Sequence, residues 1–352
     1  MNKNSMMLLL LMVAALVGCN AGSNGAISGS NNNSDQQITI LKQCLNQPPL
    51  ESTFYQAIFN PPSAKIPHAI NRDTFAFGDM DGGFARTMLA GIRAGMITLK
   101  ESDLNTLCSM LRQERMALGT ESAAFIQFQE SIAINQQQQE LVNNASYSAP
   151  ASQVIYIGDI LHDRLNNNQL ALALLLKKLH QYGAIFIYGN HDSYSDTQIV
   201  CNADKWWKYE RGCYAATQIS ESMANDLRQT VYINAYLDDQ NYIFYSHNGV
   251  AESETRPEYL ITAFGEIANY KNLDAKSIVE IMNNGQPLRQ TSFRPSESAM
   301  AQLNLYHNQQ KVSIIHGHNG IFDYSNPQVI NLNARYGSSD SDFTTAAIQL
   351  KK

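Results

Sequence analysis

Five times along this chain a short apolar run breaks off into a small residue and a side chain able to bind a metal or move a proton. The breaks read Gly78-Asp79-Met80-Asp81-Gly82-Gly83, Gly158-Asp159-Ile160-Leu161-His162-Asp163-Arg164 and Gly189-Asn190-His191-Asp192, then Ser246-His247-Asn248-Gly249 and His316-Gly317-His318-Asn319-Gly320. The runs before them, at 75–77, 154–157, 184–188, 242–245 and 312–315, have the length and apolar character of buried strands. Functional groups of open α/β sheets gather where strands end at their carboxyl side. One such break is a weak signal, but five in order are hard to explain as structure alone.

The segments between these runs complete an α/β pattern. Helical spacing covers 84–97, 101–119, 121–143, 169–181, 219–229, 256–284 and 297–309. Residues 231–237 and 242–245 read as a strand pair around a turn at 238–241, and 329–332 and 344–350 as closing strands. The expected fold class is therefore α/β, a layered β-sandwich flanked by helices. A helical insertion at about 98–150 separates the first two motifs and packs beside the core or caps the site.

The N-terminus reads as a targeting segment. Lys3 is followed by an apolar run from Met6 to Val17, too short to span a bilayer and suited to a signal-peptide core. Leu16-Val17-Gly18-Cys19 resembles the lipobox of bacterial lipoproteins, which implies cleavage after residue 18 and acylation of Cys19. An ordinary secretory signal is the alternative. Residues 19–37, rich in Asn, Ser and Gly, read as a lipidated flexible tether, leaving 38–352 as the domain. These readings place the protein outside the cytoplasm, held by lipid at a bacterial membrane, on the outer membrane, the cell surface or the periplasmic side. Export puts the remaining cysteines in an oxidising compartment. Of the three pairings open to four thiols, Cys201 with Cys213 and Cys44 with Cys108 are favoured, against free buried thiols. A net charge of −6 lacks the basic balance that bulk nucleic-acid binding calls for, so no nucleic-acid partner is expected.

Asp oxygen and His nitrogen suit first-row divalent ions, and Asn190 offers a neutral carbonyl oxygen. The order of the five motifs resembles the calcineurin-like metallophosphoesterases, from about residue 72 to the end, with the phosphoprotein phosphatase (PPP) branch and its diadenosine-tetraphosphatase-like relatives nearest in pattern. That resemblance implies two divalent ions, with manganese favoured and magnesium, iron or zinc as alternatives. Asp79, Asp81 and Asp159 would hold the first; Asp159, Asn190, His247 and His318 the second. It further implies His191 as general acid or phosphate-positioning group, Asp163 orienting it, and Arg164 clasping phosphate oxygens. Arg294 is the best-placed second phosphate arginine, ahead of Arg256 and Arg289. The implied activity is a metallophosphoesterase that hydrolyses phosphate monoesters by attack of a metal-bridging hydroxide. Its implied substrate is a phosphorylated protein (Ser/Thr or Tyr) or a small phosphoester. A nucleotide or dinucleotide polyphosphate hydrolase and a non-catalytic binding lipoprotein are the alternatives.

Two departures from the resembled pattern stand out. Asp81 occupies the place of the usual His; as a ligand it would shift preference toward manganese or magnesium and away from zinc, and its other reading is a helix N-cap. Three residues, not two, separate Asp159 from Asp163, so His162 could share a role. His316 reads as a strand residue before a ligand, Asp192 as a cap, and Trp206-Trp207 as packing or a cleft wall. Cys19→Ser should move the protein from the membrane to the soluble fraction; continued membrane association would remove the lipoprotein reading.

Overall fold

The computed structural model describes residues 30–46, 54–118, 132–161, 169–192, 219–285, 293–333 and 345–352. In chain order come α1 (Ser30–Leu45), β1 (Thr74–Phe77), α2 (Phe84–Arg93), α3 (Glu101–Leu118), α4 (Ile132–Asn144), β2 (Gln153–Tyr156), α5 (Gln169–Gln181) and β3 (Ile185–Ile187). They are followed by α6 (Glu221–Thr230), β4 (Tyr232–Ile233), β5 (Ala235–Asp238), β6 (Ile243–Ser246), β7 (Val250–Glu252), β8 (Tyr259–Thr262), β9 (Gly265–Ala268) and α7 (Ala275–Asn284). The last elements are α8 (Glu297–Gln302), β10 (Ser313–His316), β11 (Val329–Asn331) and β12 (Ala347–Leu350).

Two sheets form the layers. The first has the order β12-β1-β2-β3-β4, with β1 to β4 parallel and β12 antiparallel at the edge. The second has the order β11-β10-β6-β5, with β6, β10 and β11 parallel. Side chains alternate along a strand, so each strand feeds two different cores. Ala76 and Ile155 point inward and meet Ile243, Tyr245 and Ile315 of the other sheet. Phe75, Phe77, Val154 and Tyr156 point outward, beneath α1 to α5. Phe244, Ile314 and Val329 point outward on the second sheet, beneath α7 and α8. Phe77, Tyr156 and Phe186 form a ladder across β1, β2 and β3, with centroids 5.2 and 4.8 Å apart. Each such buried large side chain contributes roughly 1.5–3 kcal/mol relative to exposure. This is the expected β-sandwich flanked by helices.

The details differ from the sequence reading in four places. Residues 231–237 are two strands in different sheets, joined at Asn234. The Asn234 side chain donates to the carbonyl of Met282 at 2.6 Å and accepts from Arg228, so a polar residue marks the crossing. Residues 256–284 are not mainly helical: β8 pairs with both β7 and β9, and helix begins only at Ala275, capped by Asp274. The helix expected at 297–309 stops at Gln302, before a tight strand pair of Tyr306–His307 with Gln310–Lys311. At the N-terminus, α1 takes in residues 30–37 of the stretch read as tether. Its polar side chains are used: Ser34 Oγ donates to Ile92 O at 2.6 Å, and Gln37 Oε1 accepts from Leu99 N at 2.9 Å.

The helical insertion packs beside the core. Leu104, Leu107 and Leu111 of α3 and Leu141 of α4 are buried in the outer cluster of the first sheet. Cys44 and Cys108 are bonded, tying α1 to α3, as favoured from the sequence. Cys201 and Cys213 lie outside the described residues. The bond closes a loop across a separation of 64 residues. By loop-closure entropy such a link is worth about 4 kcal/mol, commonly less in practice. Cys44→Ser/Cys108→Ser should therefore unfold at clearly lower denaturant concentration than the oxidised wild type, and adding reductant should shift its midpoint less than it shifts that of the wild type.

Candidate metal centre

The parallel strands bring the five motifs to one edge of the sandwich. Asp79 follows β1, Asp159 follows β2, Asn190 follows β3, His247 follows β6 and His318 follows β10. The turns into the site are tight. Asp81, Asp159 and His318 have φ of 44°, 49° and 69°, a left-handed backbone rare for such residues. At Gly158, φ is 86° and a Cβ would lie 2.4 Å from His247 Nδ1, so only glycine lets the two sheets meet here.

The imidazole of His247 is the centre of the arrangement. Its Nδ1 lies 2.5 Å from the carbonyl oxygen of Ile157, a donor-only geometry that leaves Nε2 as the lone-pair nitrogen. Nε2 faces Asp159 Oδ2 at 3.2 Å and Asn190 Oδ1 at 3.1 Å. With the ring neutral, three acceptors turn toward one another and repel unless positive charge lies among them, either a proton on Nε2 or a metal ion in its place. Asp159, His247 and His318 each offer a ligand atom, all within 4.8 Å of one another, and His318 Nε2 is buried with no hydrogen-bond partner. This donor set fits one divalent ion, held by two imidazoles, a carboxylate and an amide oxygen.

A proton on the His247 ring answers the same need for positive charge. Burial disfavours charge on His247, but the Asp159 and Asp79 carboxylates outweigh it and raise the imidazole to about 10. Burial also works against the Asp159 anion, yet His247 and His191 prevail and keep it well below the usual carboxylate range. Burial and the charge on His247 push His318 down to about 3, leaving it neutral and able to ligate. Burial raises Asp79 well above its ordinary value. Asp79 stands at the edge of the cluster, with Oδ1 3.7 Å from His247 Nδ1 and its carboxylate accepting from the His318 backbone N–H at 3.3 Å.

Asp81 reaches the same floor through its backbone, donating N–H to Asp159 O at 2.7 Å. Its side chain is paired with Arg86 at 3.3 Å. It does not cap α2, whose N-cap is Gly83; Glu114 of α3 accepts there instead, from the N–H groups of Ala85 and Arg86. Asp192 is more than a local cap. Its Oδ1 accepts from Ile160 N, Leu161 N and the Tyr232 hydroxyl, and its Oδ2 from Gly189 N, at 2.7–3.1 Å. It ties the loop after β2 to the loop after β3. Arg86, Glu114 and Asp192 were missed as site-building residues because their partners are distant in sequence or are backbone atoms. The GNHD string was the one available signal, for Asp192.

His191 is half-buried, donates its backbone N–H to Asp159 Oδ1 at 2.9 Å, and sits near enough for its imidazole to act on that carboxylate. Arg294 is exposed and close enough for its charge to lower His318. Arg256 is occupied elsewhere, paired with Glu266 and lying over the Tyr259 ring at 4.2 Å. His316 is buried on β10 with Nδ1 toward Gly317 O and takes no place in the cluster; burial lowers it to about 4. His68 and His180 meet backbone carbonyls, and His307 meets Asp274, all away from the motifs. His162, Asp163, Arg164, Arg289, Trp206, Trp207 and Cys19 lie outside the described residues.

No protein-family model matches the chain, and no curated protein matches its sequence. Among solved structures it is similar to the phosphatase domain of the Legionella effector WipB, at 16% identity over 72% of this chain and 98% of that one, TM-score 0.38. It is also similar to a putative diadenosine tetraphosphatase, at 15% identity over 77% of this chain and 88% of that one, TM-score 0.32. A third is a protein serine/threonine phosphatase from Saccharomyces cerevisiae, at 13% identity over 88% of this chain and 79% of that one, TM-score 0.37. These likenesses are too loose to assign a role to any side chain, and the site is read from its own geometry.

Asp192→Ala would leave buried backbone donors unpaired, at about 1–3 kcal/mol each. It should both lower the unfolding midpoint and weaken metal binding, whereas Asp192→Asn, with one acceptor oxygen left, should fall between; wild-type metal affinity in folded Asp192→Ala would show that the clamp does not position the ligands.

Proposed function

We propose that this chain is a metal-dependent phosphatase that hydrolyses phosphate monoesters, with phosphorylated protein as its leading substrate class. The observation that carries the reading is the convergence of His247, Asp159, Asn190 and His318 at the strand ends, with ligand atoms of Asp159, His247 and His318 within 4.8 Å of one another. Asp159, Asn190, His247 and His318 would hold one divalent ion, and Asp79, Asp81 and Asp159 the other, with manganese favoured for its tolerance of carboxylate. Two such ions, when bound, polarise a phosphoryl oxygen and acidify water.

The remaining work falls to the chain itself. Arg294, exposed and near enough for its charge to act on His318, is proposed to receive phosphate oxygens, with Arg164 as its partner. His191 gives a proton to the leaving oxygen, and Asp163 is proposed to orient it. The Ile157 carbonyl holds His247 in one tautomer throughout, so turnover does not require that ring to reorient. A monoester leaves with its own oxygen and demands little enclosure, consistent with an edge site in which Arg294 faces solvent. We further propose export and anchoring through lipid on Cys19; no described helix is long and apolar enough to cross a membrane.

A second reading, a binding lipoprotein without turnover, draws on the engagement of Asp81 by Arg86. Chelator-stripped protein should hydrolyse para-nitrophenyl phosphate and a phosphopeptide when manganese is returned. Asn190→Ala and His247→Ala should each lose at least about a hundredfold in kcat with the fold intact. Bound metal without turnover on any phosphoester would establish the binding reading, and near wild-type rates in either variant would remove the site assignment.

A further inference from the structure

Arg86 is fully enclosed. Its Nη2 lies 3.3 Å from Asp81 Oδ2, with the two side chains 0% and 1% exposed. Its Nε and Nη1 are buried without a hydrogen-bond partner among the described residues. Glu114, also buried, binds the first N–H groups of α2, and its carboxylate is near enough to feel the guanidinium. The chain has made room for this group: a Cβ at Gly83 would come 2.2 Å from Arg86 Nε. A buried ion pair with guanidinium nitrogens left unsatisfied is a poor stabiliser, because an apolar pair of similar volume avoids the desolvation cost. Its position is the clue. Asp81 stands where the resembled motif has a neutral imidazole, on a floor that already carries Asp79 and Asp159.

We propose that Arg86 is the resident counter-cation of Asp81 at the first metal position. Its guanidinium, 3.3 Å from Asp81 Oδ2, offsets the charge of the carboxylate, so the pair carries nearly the net charge of an imidazole. Arg86 is thus a positioning residue that sets the affinity and the ion preference of the first site. The inference rests on the two-metal reading above.

The test is calorimetric titration of chelator-stripped full-length protein with manganese and with zinc, each variant first checked for folding by circular dichroism. Wild type should bind two ions, one more weakly. Arg86→Met should tighten the weaker manganese site by about tenfold or more, since a nearby positive charge has gone. Arg86→Lys, which keeps the charge, should stay near wild type, and Asp81→Asn should weaken the site. Asp81→His/Arg86→Met, which removes both charges and restores an imidazole, should shift the manganese-to-zinc affinity ratio toward zinc by about tenfold. An unchanged weaker site in folded Arg86→Met overturns the inference. If that variant does not fold, an unchanged ion ratio in Asp81→His/Arg86→Met overturns it instead. A wild type that binds one ion or none removes the two-metal reading itself, whereas two ions insensitive to these substitutions remove only the role of Arg86.

Discussion

The hydrogen bond from His247 Nδ1 to the carbonyl of Ile157 crosses from one sheet to the other. His247 ends a strand of the second sheet, and Ile157 ends a strand of the first. Their meeting fixes how far apart the two strand ends stand and which nitrogen of the ring is left for a ligand. Gly158 makes the approach sterically feasible. If the sheets slid past one another by one residue, the ring would lose its backbone acceptor. The core between the sheets, with Ala76 and Ile155 against Tyr245 and Ile315, therefore also sets the geometry of the site.

Around that joint the protein concentrates buried charge. Asp79, Asp81, Asp159 and Asp192, on the loops that follow the first three strands of the first sheet, are all buried. Charged groups this far from water are costly unless paired. Three are accounted for by different means: Asp192 by backbone and hydroxyl donors, Asp81 by Arg86, and Asp159 by the imidazole and the backbone of the next motif. Asp79 is the least compensated, with one long backbone contact and a neighbouring ring, and burial raises it accordingly.

The site was legible because its ligand types recur after buried strands at glycine-marked breaks. Asp159, Asn190, His247 and His318 could be named as a set before their distances were known, and the structure brings them together. Asp81 was legible as an anomaly but not in its consequence, because nothing in the local pattern marks Arg86, on the next helix, as buried. Its burial follows from α3 folding over α2 and delivering Glu114 to the same spot. Likewise Asp192 reads as a cap in a string of letters, while its partners Ile160, Leu161 and Tyr232 are brought to it by the neighbouring strands.

The local pattern by itself determined the two-layer α/β class, most strand positions and the candidate residues that meet at the strand ends, since period, glycine placement and side-chain chemistry are written into consecutive residues. Tertiary structure decided the rest. Asn234 sends what reads as one strand into two sheets because its amide finds the end of α7. Residues 259–268 become strands rather than helix because β7 offers them an edge. Residues 30–37 become helix because Ser34 and Gln37 find backbone partners near α2. In each case the deciding hydrogen-bond partner lies far along the chain, and a local pattern carries no information about a partner that only folding brings near.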